Sequence, residues 1–197
     1  MNRDFLVRFI QLQFGLFLYG LGIAFCLQAH IGYAPWDVFH VGISKVTGAS
    51  VGVASIWVGF VVLALVVLLK EPLGIGTIFN MVMVGLFLDF ILWLDIIPLA
   101  TNFPIGLLML LIGLTIISVA MVFYMRSGFG AGPRDSAMVA FHKKTGLPIA
   151  LTKGIIEVVV ALVGWRMGGM LGIGTVISAL VSGFIAQTIF KPFKFDV

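Results

Sequence analysis

Carboxylates embedded in apolar sequence are the residues of this chain with the most chemistry to offer. Glu157 lies near the middle of a long apolar stretch with Lys153 one helical turn before it, and Asp89 interrupts a second such stretch. An ionised carboxylate inside hydrocarbon costs several kcal/mol, so such a group binds an ion or a proton, pairs with a neighbour, or hydrogen-bonds across helices. Asp37 and Asp135 form a second set: each stands two residues after a proline, Pro35 or Pro133, with Arg134 between the second proline and its aspartate. Together Asp37, Asp135, Glu157, Asp89, Lys153 and Arg134 are candidates for holding an ion or a small polar solute. No catalytic constellation accompanies them. The chain has no zincin pair, nucleophile elbow or aspartate dyad on one helix, and His30, His40 and His142 lack metal-ligand spacing. The single cysteine, Cys26, can form neither an intramolecular disulfide nor a metal cluster and is read as a packing residue. The expectation is therefore a protein without catalytic residues, metal or cofactor, and not an enzyme.

The aspartates belong to an internal duplication. Gly32 to Gly48 (GYAPWDVFHVGISKVTG) aligns with Gly130 to Gly146 (GAGPRDSAMVAFHKKTG) at seven of 17 places, at an offset of 98 residues. At the same offset LGIGTIFNMVMVG, beginning at Leu73, aligns with LGIGTVISALVSG, beginning at Leu171, at six of 13 places. Apolar composition can match valine with valine by chance, but it does not align Pro35 with Pro133, Asp37 with Asp135, and a whole Leu-Gly-Ile-Gly-Thr string. The chain is one unit written twice, residues 1–98 and 99–197.

What must position these residues is a membrane domain. Hydrophobic residues make up 61% of the chain and charged ones 10%, with a mean hydropathy of +1.19. Apolar stretches at about 8–29, 51–69, 73–97, 104–125, 149–167 and 171–190 approach the roughly 20 residues that cross a bilayer. Without period-two alternation they are helices and not barrel strands. The reading is an all-α integral membrane protein with six spans, the first of them a retained helix and not a cleaved signal. With the N-terminus in the cytoplasm, that side collects Arg3, Arg8, Lys70, Arg126, Arg134, Lys143, Lys144, Lys191 and Lys194, against Lys45 and Arg166 opposite. The bias puts both termini inside. Three spans per unit is an odd number, so the second unit enters from the opposite face and the fold is a 3+3 inverted repeat. The net charge of +4 then reflects orientation, and nucleic acid is not an expected partner.

Two short amphipathic helices are expected from Pro35 to Gly48 and from Pro133 to Gly146. In the first, Trp36, Phe39, Ile43 and Val46 share one face and Asp37, His40 and Ser44 another. Proline suits a first helical turn, and an aspartate there faces unpaired amides. Two placements fit: flat at the interface, or re-entrant from opposite faces with N-termini meeting at mid-membrane. The Gly74-Ile-Gly76-Thr77 and Gly172-Ile-Gly174-Thr175 strings also allow two roles. They either expose backbone to a solute with the threonines capping, or let helices touch, with the weight toward packing.

The Gly-Pro-x-Asp segment before an amphipathic stretch, the embedded Glu157 and the Gly-Gly-x-x-Gly-x-Gly-Thr string from Gly168 to Thr175 resemble the YczE/YyaS/YitT family of bacterial integral membrane proteins, nearest its YczE-like branch. The resemblance covers nearly the whole chain. It implies a multi-pass inner-membrane protein of uncharacterised activity, without the appended soluble domain of longer YitT-type members, and it transfers no substrate or catalytic residue. The leading expectation is a small-solute transporter or channel with a polar site between the two units. The alternatives are a non-transporting scaffold or accessory, and a substrate-binding subunit of a larger transporter. The implied partners are the lipid bilayer, an unknown small solute, and either a second copy or another membrane protein.

Overall fold

Prolines, glycines and short polar clusters divide the apolar sequence into helices, eight of them among the described residues. The computed structural model describes residues 3–70, 74–130 and 132–191. Glu71, Leu73 and Lys194, which enter the span boundaries, the duplicated string and the charge bias, lie outside the described residues. The elements are α1 (Arg3–Gln28), α2 (Pro35–Thr47), α3 (Val51–Leu68), α4 (Ile75–Trp93), α5 (Phe103–Arg126), α6 (Pro133–Thr145), α7 (Ile149–Arg166) and α8 (Ile173–Phe190), with no strand among the described residues.

Local chemistry explains the ends. Ser50 accepts the amide hydrogen of Val53 at the start of α3, and Asn102 accepts that of Ile105 at the start of α5. Each short helix begins on its proline and stops at a left-handed glycine, Gly48 at φ 75° and Gly146 at φ 72°, a conformation that costs glycine no Cβ clash.

Among the described residues five helices, α1, α3, α4, α5 and α8, are long and apolar enough to cross a membrane. A sixth crossing arises if α6 and α7, bent by 118° at their junction, form one broken span. The expected fifth span coincides with α7, but Lys153, Glu157 and Arg166 fall within its 18 residues and leave it too polar to qualify alone. Large apolar side chains point outward, Trp93 at 78% and Leu180 at 74% exposure among them. Surfaces this apolar belong in lipid, and the chain is a helical membrane protein.

The centre is built by α1 and α5, which run antiparallel. Gln11 donates to the carbonyl of Phe123 near one end of the pair, and the Cys26 thiol faces the carbonyl of Leu110 near the other. Leu12, Leu16, Ile23, Leu110 and Leu114 fill the seam, and Leu88 of α4 closes it. Arg8 ties the same pair at its end, donating to the Ser127 carbonyl at 2.7 Å with its guanidinium over the Phe129 ring.

Contacts between the two sequence units are reciprocal. The amide of Gly174 donates to the carbonyl of Ile31 at 2.8 Å, and the amide of Gly76 donates to the carbonyl of Phe129 at 2.8 Å. Donors and acceptors alike are 98 residues apart. A side chain on Gly172 would press against the Ile31 carbonyl, and one on Gly74 against that of Phe129. The duplicated glycines thus let the start of one unit's last helix rest on the backbone that follows the other unit's first helix.

Candidate functional site

Because α2 and α6 follow corresponding helices of the antiparallel pair, their N-terminal turns come together. Trp36 of α2 and Arg134 of α6 hold the same place in the duplication, and they touch, the guanidinium carbon lying 5.1 Å from the centre of the indole ring. Arg134 Nη2 also lies 3.2 Å from His40 Nε2 and 3.4 Å from His40 Nδ1. Asp37 and His40, one turn apart, face inward at 3% and 1% exposure. On α6, Asp135 Oδ2 accepts the phenol hydrogen of Tyr124 at 2.8 Å. Tyr19 of α1 packs edge-on to Tyr124, with ring centres 6.2 Å apart.

One atom of the cluster is unsatisfied. Asp37 Oδ1 is buried without a hydrogen-bond partner, and His40 Nδ1 stands 3.5 Å from it. The duplication explains why. The place that Tyr124 occupies in the second unit is held by Cys26 in the first, and that thiol is turned to the Leu110 carbonyl. Asp135 therefore has a phenol donor that Asp37 lacks, in surroundings where an unmade hydrogen bond is expensive.

Part of this cluster, without Asp37, borders a cavity of about 40 Å³, room for roughly two or three water-sized particles. Tyr19, His40, Tyr124, Arg134 and Asp135 line it with Ser55 of α3 and Asn80 of α4. An apolar groove of about 630 Å³ runs alongside between α2, α3, α6 and α7. Val58 and Val62 form walls of both spaces, while Trp36 faces the groove and Arg134, lying over its ring, faces the cavity.

The other candidates lie elsewhere. Lys153 Nζ is 3.7 Å from Glu157 Oε1, a pair one turn apart on α7 that does not border the cavity, although Arg134 and Lys153 exert their fields on Glu157 and Asp135 respectively. Asp89 accepts the Ser50 hydroxyl at 2.5 Å and the Gly52 amide at 2.8 Å, so it caps the N-terminus of α3 from the neighbouring α4. Pro35 and Pro133 are buried first residues of their helices. Gly74, Gly76, Gly172 and Gly174 are occupied by backbone contacts between units, and Thr175 accepts the Gly172 amide at 3.1 Å, closing the first turn of α8. Thr77 is buried at the corresponding place in α4.

Sequence reasoning passed over Tyr19, Tyr124 and the role of His40. The usable signal was the sharing of one helical face by Asp37 and His40; a tyrosine within an apolar run carries no comparable mark. Among the described residues no group of three or more His, Cys, Asp or Glu side chains is arranged to hold a metal ion.

Comparison with known proteins agrees with a membrane protein and adds no activity. A family model described as "Family of unknown function (DUF6198)" matches residues 6–191. The chain is 29% identical over 189 residues to the uncharacterized membrane protein YczE of Bacillus subtilis (strain 168), covering 95% of this chain and 87% of that protein. It is 31% identical over 180 residues to an uncharacterized protein of Haemophilus influenzae, covering 89% and 80% respectively. To the uncharacterized protein YyaS of Bacillus subtilis it is 24% identical over 192 residues, covering 94% and 93%. No solved structure matches the chain.

Proposed function

Since the chain belongs to the DUF6198 family, with YczE and YyaS among its relatives, and that family has no assigned activity, we propose that it is a small-solute transporter or channel of the bacterial inner membrane. Its polar site is the Asp37–His40–Arg134–Asp135 cluster. The observation that carries the reading is the meeting of two short-helix N-termini, one from each sequence unit, at a cavity lined with ionisable side chains inside a membrane protein. Ionisable groups buried inside such proteins mark solute or ion paths.

In this reading residues 1–98 and 99–197 are two three-span units inverted with respect to each other, both termini are cytoplasmic, and α2 and α6 are re-entrant half-helices. Support comes from the antiparallel packing of the corresponding helices α1 and α5 and from the reciprocal Gly174–Ile31 and Gly76–Phe129 hydrogen bonds. Gln11–Phe123 on one side and Cys26–Leu110 on the other bracket Tyr19, in keeping with a polar cluster at mid-membrane where the two helices cross. Inverted units give a transporter a direct means of alternating access, because exchanging their conformations opens one central site to either side. A scaffold would offer its small-residue faces to a partner, whereas Gly74 and Gly172 are already covered by the other unit.

The test is flux. Purified protein reconstituted in liposomes and screened against small inorganic ions and polar metabolites on a supported-membrane electrode should give a current or uptake with at least one of them. Asp135→Asn and Arg134→Gln should abolish it while leaving the helical circular-dichroism signal intact. Absence of flux across the panel, or flux indifferent to both substitutions, refutes the reading.

A further inference from the structure

The His40 imidazole stands between a carboxylate oxygen without a donor and a guanidinium. Asp37 Oδ1 has no donor, although the His40 imidazole stands 3.5 Å away, and the same ring lies against the Arg134 guanidinium at 3.2 Å. A neutral imidazole tolerates that guanidinium, offering a lone pair to its N–H groups. An imidazolium offers none and carries like charge.

We propose that the coupling ion of this site is a proton, and that His40 carries it. The neutral ring has one N–H and one lone pair, and the proton takes up that lone pair, beside which Arg134 Nη2 lies whichever nitrogen bears it. Both ring nitrogens then bear hydrogen, the N–H at Nδ1 faces Asp37 Oδ1 from a ring that now carries the opposite charge, and the guanidinium loses its acceptor and is pushed away. Arg134 sits on α6 and His40 on α2, so the proton breaks the polar link between the two short helices and strengthens one within α2. Deprotonation restores the link. His40 is buried, so the proton enters from water reaching the cavity that the imidazole lines.

The other charges around the ring fit this assignment. From α1 come Tyr19 and Cys26, and from α5 Tyr124, whose phenol is committed to Asp135. Arg134 and Asp135 come from α6, and α7, packed along α2, carries the Lys153–Glu157 pair and Arg166. Within α2, Lys45 is engaged at the far end with the Gly168 carbonyl. Neither α3 nor α8 contributes a titratable group, and Asp89 of α4 is held at the start of α3. Among the described residues, Asp37 Oδ1 is therefore the carboxylate oxygen against the imidazole that is buried without a hydrogen-bond donor.

The proposal rests on reading the cluster as a transport site, yet its test needs no solute. Trp36 lies under Arg134, so its emission reports departure of the guanidinium. In full-length protein in lipid nanodiscs, with Trp57, Trp93 and Trp165 changed to Phe, lowering the pH from about 8 to about 3 should change that emission along a one-proton curve. His40→Gln, which keeps a neutral hydrogen-bonding side chain, should lose the titration, and Arg134→Gln should shift the curve toward alkaline pH. A flat response in the parent, or a curve that persists in His40→Gln, overturns the proposal. Should His40→Gln fail to fold, nitrogen-15 spectra of labelled histidine in protein carrying His30→Gln and His142→Gln decide the same point, and a ring that stays neutral across the range overturns it. A titrating His40 in a protein that moves no solute would refute the transport reading while leaving the proton site standing.

Discussion

Trp36 and Arg134 occupy the same position in the two sequence units and contact each other, the guanidinium carbon 5.1 Å from the indole centre. A residue meets its own counterpart only where an axis relating two units passes between them. Inverted units whose short helices meet head to head would put that axis here. The first unit supplies the aromatic face and the second the cation, so a symmetric location has become a specific pair. A double-mutant cycle with Trp36→Leu and Arg134→Gln should give a coupling energy of about 0.5–2 kcal/mol, the range for a partly desolvated cation–π contact. Trp36→Arg alone, which sets two guanidinium groups against each other, should lower the thermal midpoint in detergent. Adding Arg134→Trp should recover much of that loss. A swapped pair no more stable than Trp36→Arg alone would show that the two places are not equivalent.

The ends of α2 and α6 were legible because each is written in residues with one backbone habit, proline at the first turn and glycine in the left-handed turn after Thr47 or Thr145. Pattern also separated the two faces of α2 but did not say which was buried. Hydropathy alone would bury Val46 and expose Asp37, yet Val46 is exposed and Asp37 enclosed, because in a membrane protein apolar faces can meet lipid while polar ones turn to one another. Tyr19 and Tyr124 were beyond sequence reasoning, since their meeting depends on the antiparallel register of α1 and α5.

Asp89 is a capping residue by geometry, and its substitution should act on stability and not on the polar site. Asp89→Ala removes acceptors from Ser50 and Gly52 at the positive end of α3 and should cost about 1–2 kcal/mol. Asp89→Asn keeps one acceptor and should cost less. Thermal unfolding followed by circular dichroism ranks the two. Equal losses would mean that the carboxylate's charge, and not its hydrogen bonds, is what α3 requires.

The Gly-Ile-Gly-Thr strings invited two roles in the sequence, and only tertiary structure supplies their partners, the carbonyls of Ile31 and Phe129. A methyl group at Gly172 or Gly174 must displace backbone across the unit boundary, an overpacking cost of roughly 1–3 kcal/mol. Gly172→Ala and Gly74→Ala should therefore destabilise to similar extents despite lying 98 residues apart. Gly183→Ala, where an added methyl meets nothing within 4 Å, should be close to neutral. A large loss at Gly183 would reveal a packing partner outside the described residues.

Topology is the prediction with the widest reach. With their N-termini together, α2 and α6 must send their C-termini to opposite membrane faces if they are re-entrant as proposed. Val46 and Lys144, both exposed near those C-termini, are suitable positions for single cysteines once Cys26 is replaced by Ala. In right-side-out and inverted vesicles an impermeant maleimide should label the two positions from opposite sides, Val46→Cys from the periplasm and Lys144→Cys from the cytoplasm, as the bias of basic residues requires. Labelling of both from one face would remove the inverted arrangement and alternating access with it. The Trp36–Arg134 contact would then remain as a packing feature without a transport role.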